Sequence, residues 1–144
     1  MMNDGMYSSD SSEWETPQAF YNKLDAEFKF TLDVCATAKT AKCKYYIDAE
    51  EDTFKVDWGN NICFMNPPYG REIYYFIEKA YQESLKKATV VCLLPARTDT
   101  SWWHEFCMKA DETRFIRGRL KFSNSKNTAP FPSVIVIFRP KEQL

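Results

Sequence analysis

The sequence predicts an α/β fold, a mostly parallel sheet with helices on both faces and one antiparallel strand near the C-terminus. Three observations predict it. Short apolar runs of strand length alternate with stretches whose apolar residues recur at helical spacing, the order from which parallel sheets are built. Two of the runs, VVCLLP at 90–95 and SVIVIF at 133–138, are apolar almost throughout, as strands buried on both faces must be. With 144 residues, 44% of them hydrophobic, the chain can fill one core, and neither a repeat nor a linker divides it.

The elements follow in order. Residues 1–12 are rich in Ser, Asp and Met without apolar period and read as a flexible tail. In EWETPQAFYNKLDAEFKF, Thr16 suits a helix N-cap, Pro17 suits the first helical position, and Phe20, Leu24 and Phe28 recur at i, i+4 and i+8. FTLDVCA at 30–36 reads as a buried strand with an acid near its end, and CKYYI at 43–47 as a second strand. Ile62–Met65 is a third, stopped by Pro67 and Pro68. Over 71–88, Ile73, Phe76, Ile77, Ala80 and Leu85 trace one helical stripe with Glu and Lys opposite. VVCLLP is the plainest buried strand and precedes a helix around 101–110. TRFIRG, RLKF and SVIVIF then read as strands side by side, two of them an antiparallel pair, with Pro130 and Pro132 in a polar turn before the last.

Composition removes several function classes. Five cysteines, at 35, 43, 63, 92 and 107, are spaced by 8, 20, 29 and 15 with no C-x-x-C pair, so they read as reduced thiols in a cytosol and not as a zinc site. A single histidine, His104, argues against zinc hydrolysis built on two or three His ligands, and beside Trp102 and Trp103 it reads as a packed helix residue. Only four glycines exist, at 5, 59, 70 and 118, and neither G-x-G-x-x-G nor a Walker loop can be written with them. No run approaches the roughly 18 uncharged apolar residues of a membrane span, and the opening residues lack the basic start and apolar core of a secretion signal.

The net charge of −1 conceals a polarity. Residues 1–85 carry 8 Lys/Arg against 15 Asp/Glu, while residues 86–144 carry 11 against 5. A polyanion would be met by the second half, particularly by Arg114, Arg117, Arg119, Lys121 and Lys126 if they share a face; a solvated basic strand pair is the bland alternative.

Asn66-Pro67-Pro68-Tyr69 follows a hydrophobic strand and precedes a helix, the strand-end loop where α/β sheets bind ligands. Each residue has a chemical reason to be there. The exocyclic amine of adenine is a poor nucleophile because its lone pair is delocalised into the ring, so an enzyme must hold that nitrogen in a more tetrahedral state. The Asn66 side-chain oxygen and the Pro67 carbonyl could accept its two N–H bonds, with consecutive prolines keeping both oxygens aimed. Tyr69 offers a flat face on which an extruded base can stack, a contact worth about 1 to 3 kcal/mol. The competing account is a rigid turn in which proline merely stops the strand. A polyproline ligand for a WW-type domain needs Pro-Pro-x-Tyr, which the sequence lacks.

With that loop placed, the chain resembles the small phage-type DNA N6-adenine methyltransferases, a Dam-like family that uses S-adenosylmethionine. The resemblance spans 14–140 and rests on WETP, FTLDVCA, AKC, NPPYGR, LLPARTDTSWWHE, GRLKF and APFPSVIVIF in one order. It implies a Rossmann-like class I methyltransferase sheet over residues 13–144, with Ser133–Phe138 as the reversed strand and without a separate target-recognition domain. By motif, Asn66, Pro67, Pro68 and Tyr69 take the catalytic positions. Trp14, Thr16 and Pro17 resemble the segment that holds the methionine end of the cofactor. Asp33, Cys35 and Ala36 resemble the first cofactor motif, although its usual glycine-rich turn is missing; an Asp33 that only caps the turn is the alternative. Asp48 and Glu50 both fall where a ribose-binding carboxylate is expected, and an acidic solvated loop explains them equally. Asp57 and Trp58 resemble the element that contacts the cofactor's adenine, against plain core packing of Trp58. Phe131 sits where related enzymes place a second aromatic against the flipped base, or packs its loop onto the sheet. Arg97 touches substrate phosphate or helps cap the next helix, and Arg119 and Lys121 join it as substrate contacts.

The resemblance thus implies a site-specific DNA adenine methyltransferase that takes its methyl group from S-adenosylmethionine, uses no metal, acts on double-stranded DNA and works in bacterial or phage-infected cytoplasm. A homodimer is one way to complete so small a DNA-binding surface. Enzymes that methylate protein glutamine or RNA guanine amines share the loop chemistry. A catalytically silent relative that binds DNA or a partner is the contrasting class, for which Asn66→Ala would change nothing.

Overall fold

A computed structural model describes residues 13–141, so the tail expected over residues 1–12 lies outside it. Among the described residues three helices form, α1 (Gln18–Phe28), α2 (Ile73–Lys86) and α3 (Ser101–Glu105), the last followed by a 3-10 turn at Cys107–Lys109. Five strands form one sheet: β1 (Leu32–Asp33), β2 (Ile62–Met65), β3 (Thr89–Pro95), β4 (Glu112–Phe115) and β5 (Ser133–Phe138), in the spatial order β1, β2, β3, β5, β4. Among the described residues no helix is long and apolar enough to cross a membrane.

The sheet is mixed and only partly parallel, and its reversed strand is the expected one near the C-terminus. β1 pairs with β2 and β2 with β3 in parallel, whereas β5 lies reversed between β3 and β4, so both of its ladders are antiparallel. The apolar runs behave as read: all six residues of β5 and six of the seven in β3 are buried. Helices cover both faces, as the register shows. Cys63, Val90 and Phe138 form one cross-strand row, and Phe64, Val91 and Ile137 the next, so the two rows face opposite sides. Tyr81 of α2 meets Phe138 on one side, and Tyr21 of α1 meets Phe64 edge-on on the other.

Four local expectations shift. Helix α1 starts one residue late, with Pro17 rather than Thr16 at the N-cap and so without a side-chain cap, while the Thr16 hydroxyl accepts from Asn66. CKYYI contributes only a bridge at Tyr46 beside Asp33, since the chain from 37 to 42 turns back onto the Asp33 side chain and only 45–47 runs alongside β1. RLKF forms no strand. Its Phe122 is buried in the core, while Leu120 accepts from the Ala129 N–H and closes the loop on itself. The helix around 101–110 ends at Glu105, and its N-cap is Thr100, whose hydroxyl accepts from the Trp103 N–H.

Candidate active site

The carboxyl ends of β1 and β2 open on a cavity of about 440 Å³, within the range of small-molecule sites. Asp33 enters it from the end of β1, Cys35 and Ala36 from the turn that follows, and Asn66, Pro67 and Pro68 from the loop after β2. Trp14 and Thr16 line it from the segment before α1, and Asp48, Thr53 and Phe54 from the long excursion between β1 and β2. Parallel strands that end side by side place these loops together, although the whole of 34–61 lies between β1 and β2.

Asn66 is held from three sides. Its Nδ2 donates to the Trp14 carbonyl oxygen and to Thr16 Oγ1 at 2.9 Å, and its Oδ1 accepts from the Tyr69 hydroxyl at 2.8 Å. The Tyr69 hydroxyl also lies 3.0 Å from the Leu93 carbonyl oxygen in β3. Tyr69 is buried beneath the loop, and its ring meets Phe122 and Phe131 edge-on at centroid distances of 6.4 and 5.7 Å. Burial pushes its phenol well above the ordinary tyrosine range, so the hydroxyl keeps its proton.

The cavity is acidic. Glu13, Glu15, Asp33, Asp48 and Asp52 line it against two cations, Lys39 and Lys42. Asp33 is the buried member. Burial pushes its carboxyl up to about 6, against the opposing pull of N–H bonds from Lys42 and Cys35 at 3.0 and 3.2 Å. A pocket of this charge favours a ligand carrying cationic groups.

The sequence matches the family described as DNA N-6-adenine-methyltransferase (Dam) over residues 5–144. The chain belongs to that family. A DNA N-6-adenine-methyltransferase of Haemophilus phage HP1 is 32% identical over 141 residues, an alignment that takes in 92% of this chain and 82% of the phage protein. One of Escherichia phage T1 is 30% identical over 109 residues, 74% of this chain and 45% of that protein.

Within this Dam-family methyltransferase the expected site residues separate into three groups. Trp14, Thr16, Asp33, Cys35, Ala36, Asp48, Asn66, Pro67 and Pro68 share the cavity. Of the two candidate acids, Asp48 lines it while Glu50 is exposed, its N–H bonded to Asp48 Oδ1 at 3.1 Å. Tyr69, Phe131 and Arg97 form the layer beneath and beside the loop. Phe131 packs on Trp14, Tyr69 and Phe122, and Arg97 donates to the Tyr69 carbonyl at 3.2 Å while its guanidinium lies 5.8 Å from the Phe131 ring centre.

The remaining residues lie apart. Trp58 is fully buried outside the cavity, its indole N–H directed at Thr53 and its main-chain N–H at Glu83, so no face of the ring is open to a ligand. Asp57 is exposed and caps the Gly59 N–H. Pro17 sits at the helix start and does not line the cavity. Arg119 and Lys121 are exposed and tie their own loop through the carbonyls of Ala129 and Ser125. Arg114, grouped with them by sequence, is instead committed to Glu27 and Glu112. His104 is exposed, with Nε2 2.8 Å from the Thr98 carbonyl oxygen.

Sequence reading missed Thr53, Phe54 and Phe76 as cavity residues. Phe54 is 41% exposed and packs on Phe76 at 4.7 Å between ring centres, giving the cavity an aromatic wall where Trp58 was expected to supply one. The signal available was an isolated aromatic in an acidic, polar stretch, EEDTFK.

Proposed function

We propose that this chain transfers a methyl group from S-adenosylmethionine to the N6 amine of an adenine extruded from double-stranded DNA. The observation that carries this reading is the Asn66 amide, fixed at the rim of a nucleoside-sized acidic cavity by the carboxyl end of a parallel strand.

The residues present suit the donor. Five carboxylates against two lysines suit a molecule with sulfonium and ammonium charges, and the Phe54–Phe76 wall suits a purine ring. Asp33 and Asp48 would hold polar groups of the bound donor, which supplies an activated methyl. Lys39 and Lys42 are the cations available to its carboxylate.

The protein's own contribution is to hold the amine. Asn66 Oδ1 and the Pro67 carbonyl accept the two N–H bonds, drawing the nitrogen lone pair out of conjugation with the ring and toward the cavity. Phe131, half-buried, and Tyr69, buried beneath it, supply aromatic surface for the extruded base once the loop before β5 yields. Arg97, Arg119 and Lys121 meet the backbone phosphates. None of these steps requires a histidine base or a cysteine nucleophile.

The test offers purified protein S-adenosylmethionine with a labelled methyl group, together with adenine-containing duplex DNA and with RNA and protein acceptors alongside. Label is expected on N6 of adenine in DNA and absent with Asn66→Ala. Label confined to RNA or protein, or transfer that persists in Asn66→Ala, would overturn the reading.

A further inference from the structure

The adenine-methylation reading leaves open what sets the direction of the Asn66 amide, and the inference drawn here rests on that reading. We propose that Thr16 is a positioning residue which, with the Trp14 carbonyl, fixes the amide with Oδ1 on the side of Tyr69, where the base is to stack. An amide rotated by 180° would present N–H groups to an amine that itself must donate, and Asn66 would offer that amine no acceptor.

The hydrogen-bond pattern decides the orientation. The Trp14 carbonyl oxygen can only accept, so the atom facing it must be Nδ2. The second Nδ2 proton reaches Thr16 Oγ1 at 2.9 Å, and Oδ1 is left to the Tyr69 hydroxyl. Thr16 is 3% exposed, so its contact with the amide is shielded from competing water.

The segment that carries both partners is itself clamped. Asn124 Oδ1 accepts from the Glu15 N–H at 3.0 Å, Asn124 Nδ2 donates to the Glu13 carbonyl at 2.9 Å, and the Ser123 N–H donates to the Glu15 carbonyl at 2.9 Å. Residues more than 100 positions away thus hold the N-terminal segment against the loop after β2.

Thr16→Val removes the acceptor while keeping the shape, and Thr16→Ser restores the hydroxyl. The expected result is a single-turnover methylation rate about tenfold or more lower in Thr16→Val at saturating donor and DNA, with recovery in Thr16→Ser. Affinity for S-adenosylhomocysteine, measured by calorimetry, separates this role from a contact with the donor, because the rate defect of Thr16→Val should persist when the donor saturates. NMR gives a readout independent of activity: the Asn66 side-chain NH2 should be protected from exchange in the wild type and in Thr16→Ser, and exposed in Thr16→Val. A wild-type rate in Thr16→Val, a defect confined to donor affinity, or an unprotected Asn66 NH2 in the wild-type protein overturns the proposal. A wild-type protein with a protected Asn66 NH2 that never methylates adenine would instead defeat the reading on which it rests.

Discussion

The hydroxyl of Tyr69 stands 2.8 Å from Asn66 Oδ1 and 3.0 Å from the Leu93 carbonyl oxygen, one proton between two acceptors. The amide oxygen is therefore occupied at rest, yet its donor has a second partner to turn to when an amine arrives. Tyr69→Phe should keep the ring packed on Phe122 and Phe131, cost about 1 kcal/mol of stability and slow methylation far less than Asn66→Ala. Tyr69→Ala should cost about 3 to 5 kcal/mol by emptying the layer beneath the loop. Thermal melts and labelled-methyl assays on the same preparations separate the two, and a Tyr69→Phe protein as inactive as Asn66→Ala would show that the hydroxyl, not the ring, matters.

Asp33 makes stability fall as pH rises. Burial raises its folded-state value to about 6, above the ordinary carboxyl range, so the folded protein holds the proton more tightly than the unfolded chain. Below the unfolded value the carboxyl is neutral in both states and burial costs little; the penalty grows between about 4 and 6 and is complete above that. Asp33→Asn cannot ionise. The melting temperature of wild type relative to this variant should decline between pH 4.5 and pH 7.5, and a constant difference would refute the assignment.

Glu83 is a structural anchor for the segment leading to β2. Burial alone would raise its carboxyl, but bonds from Lys79, the Trp58 N–H and Lys86 outweigh it and hold the group below the usual glutamate value. Glu83→Ala leaves the Trp58 N–H and the largely buried Lys79 ammonium without this acceptor, a loss of about 3 kcal/mol. Because the folded value is depressed, the contribution is present above the unfolded value and is lost as pH falls through the folded one. Denaturant titrations at pH 7 and pH 3.5 should show the gap between variant and wild type shrinking at the lower pH.

Arg119 and Lys121 project from the loop before β5 with no carboxylate partner among the described residues, unlike Arg114. Replacing both with Ala should weaken DNA binding and lower the slope of log affinity against log salt by about 1.8 for two lost phosphate contacts. Fluorescence titrations at several salt concentrations measure this slope. If it stays unchanged, the two side chains serve only to tie their own loop.

Much of the architecture was legible because burial on both faces leaves a plain mark. VVCLLP and SVIVIF could be read as central strands since no polar residue interrupts them, and of the stripe Ile73, Phe76, Ile77, Ala80 and Leu85, the first, third and fourth form the buried face of a helix while Leu85 is exposed. CKYYI and RLKF misled for one shared reason: β-forming composition says that a segment would suit a sheet, not that an edge is free to receive it. In the fold, one is held back by the turn around Asp33 and the other by its tie to Ala129.

The amino-acid order by itself determined the strand-loop-helix setting of Asn66-Pro67-Pro68-Tyr69, the acid ending β1 and the uneven distribution of charge, because these are properties of neighbouring residues. Tertiary structure alone decided that Trp58 is core and Phe54 is cavity wall, that Asp48 rather than Glu50 faces the cavity, and that Thr16 spends its hydroxyl on Asn66. Those choices depend on which side of a turn meets a strand 30 to 50 residues away, and no local preference carries information about that distance.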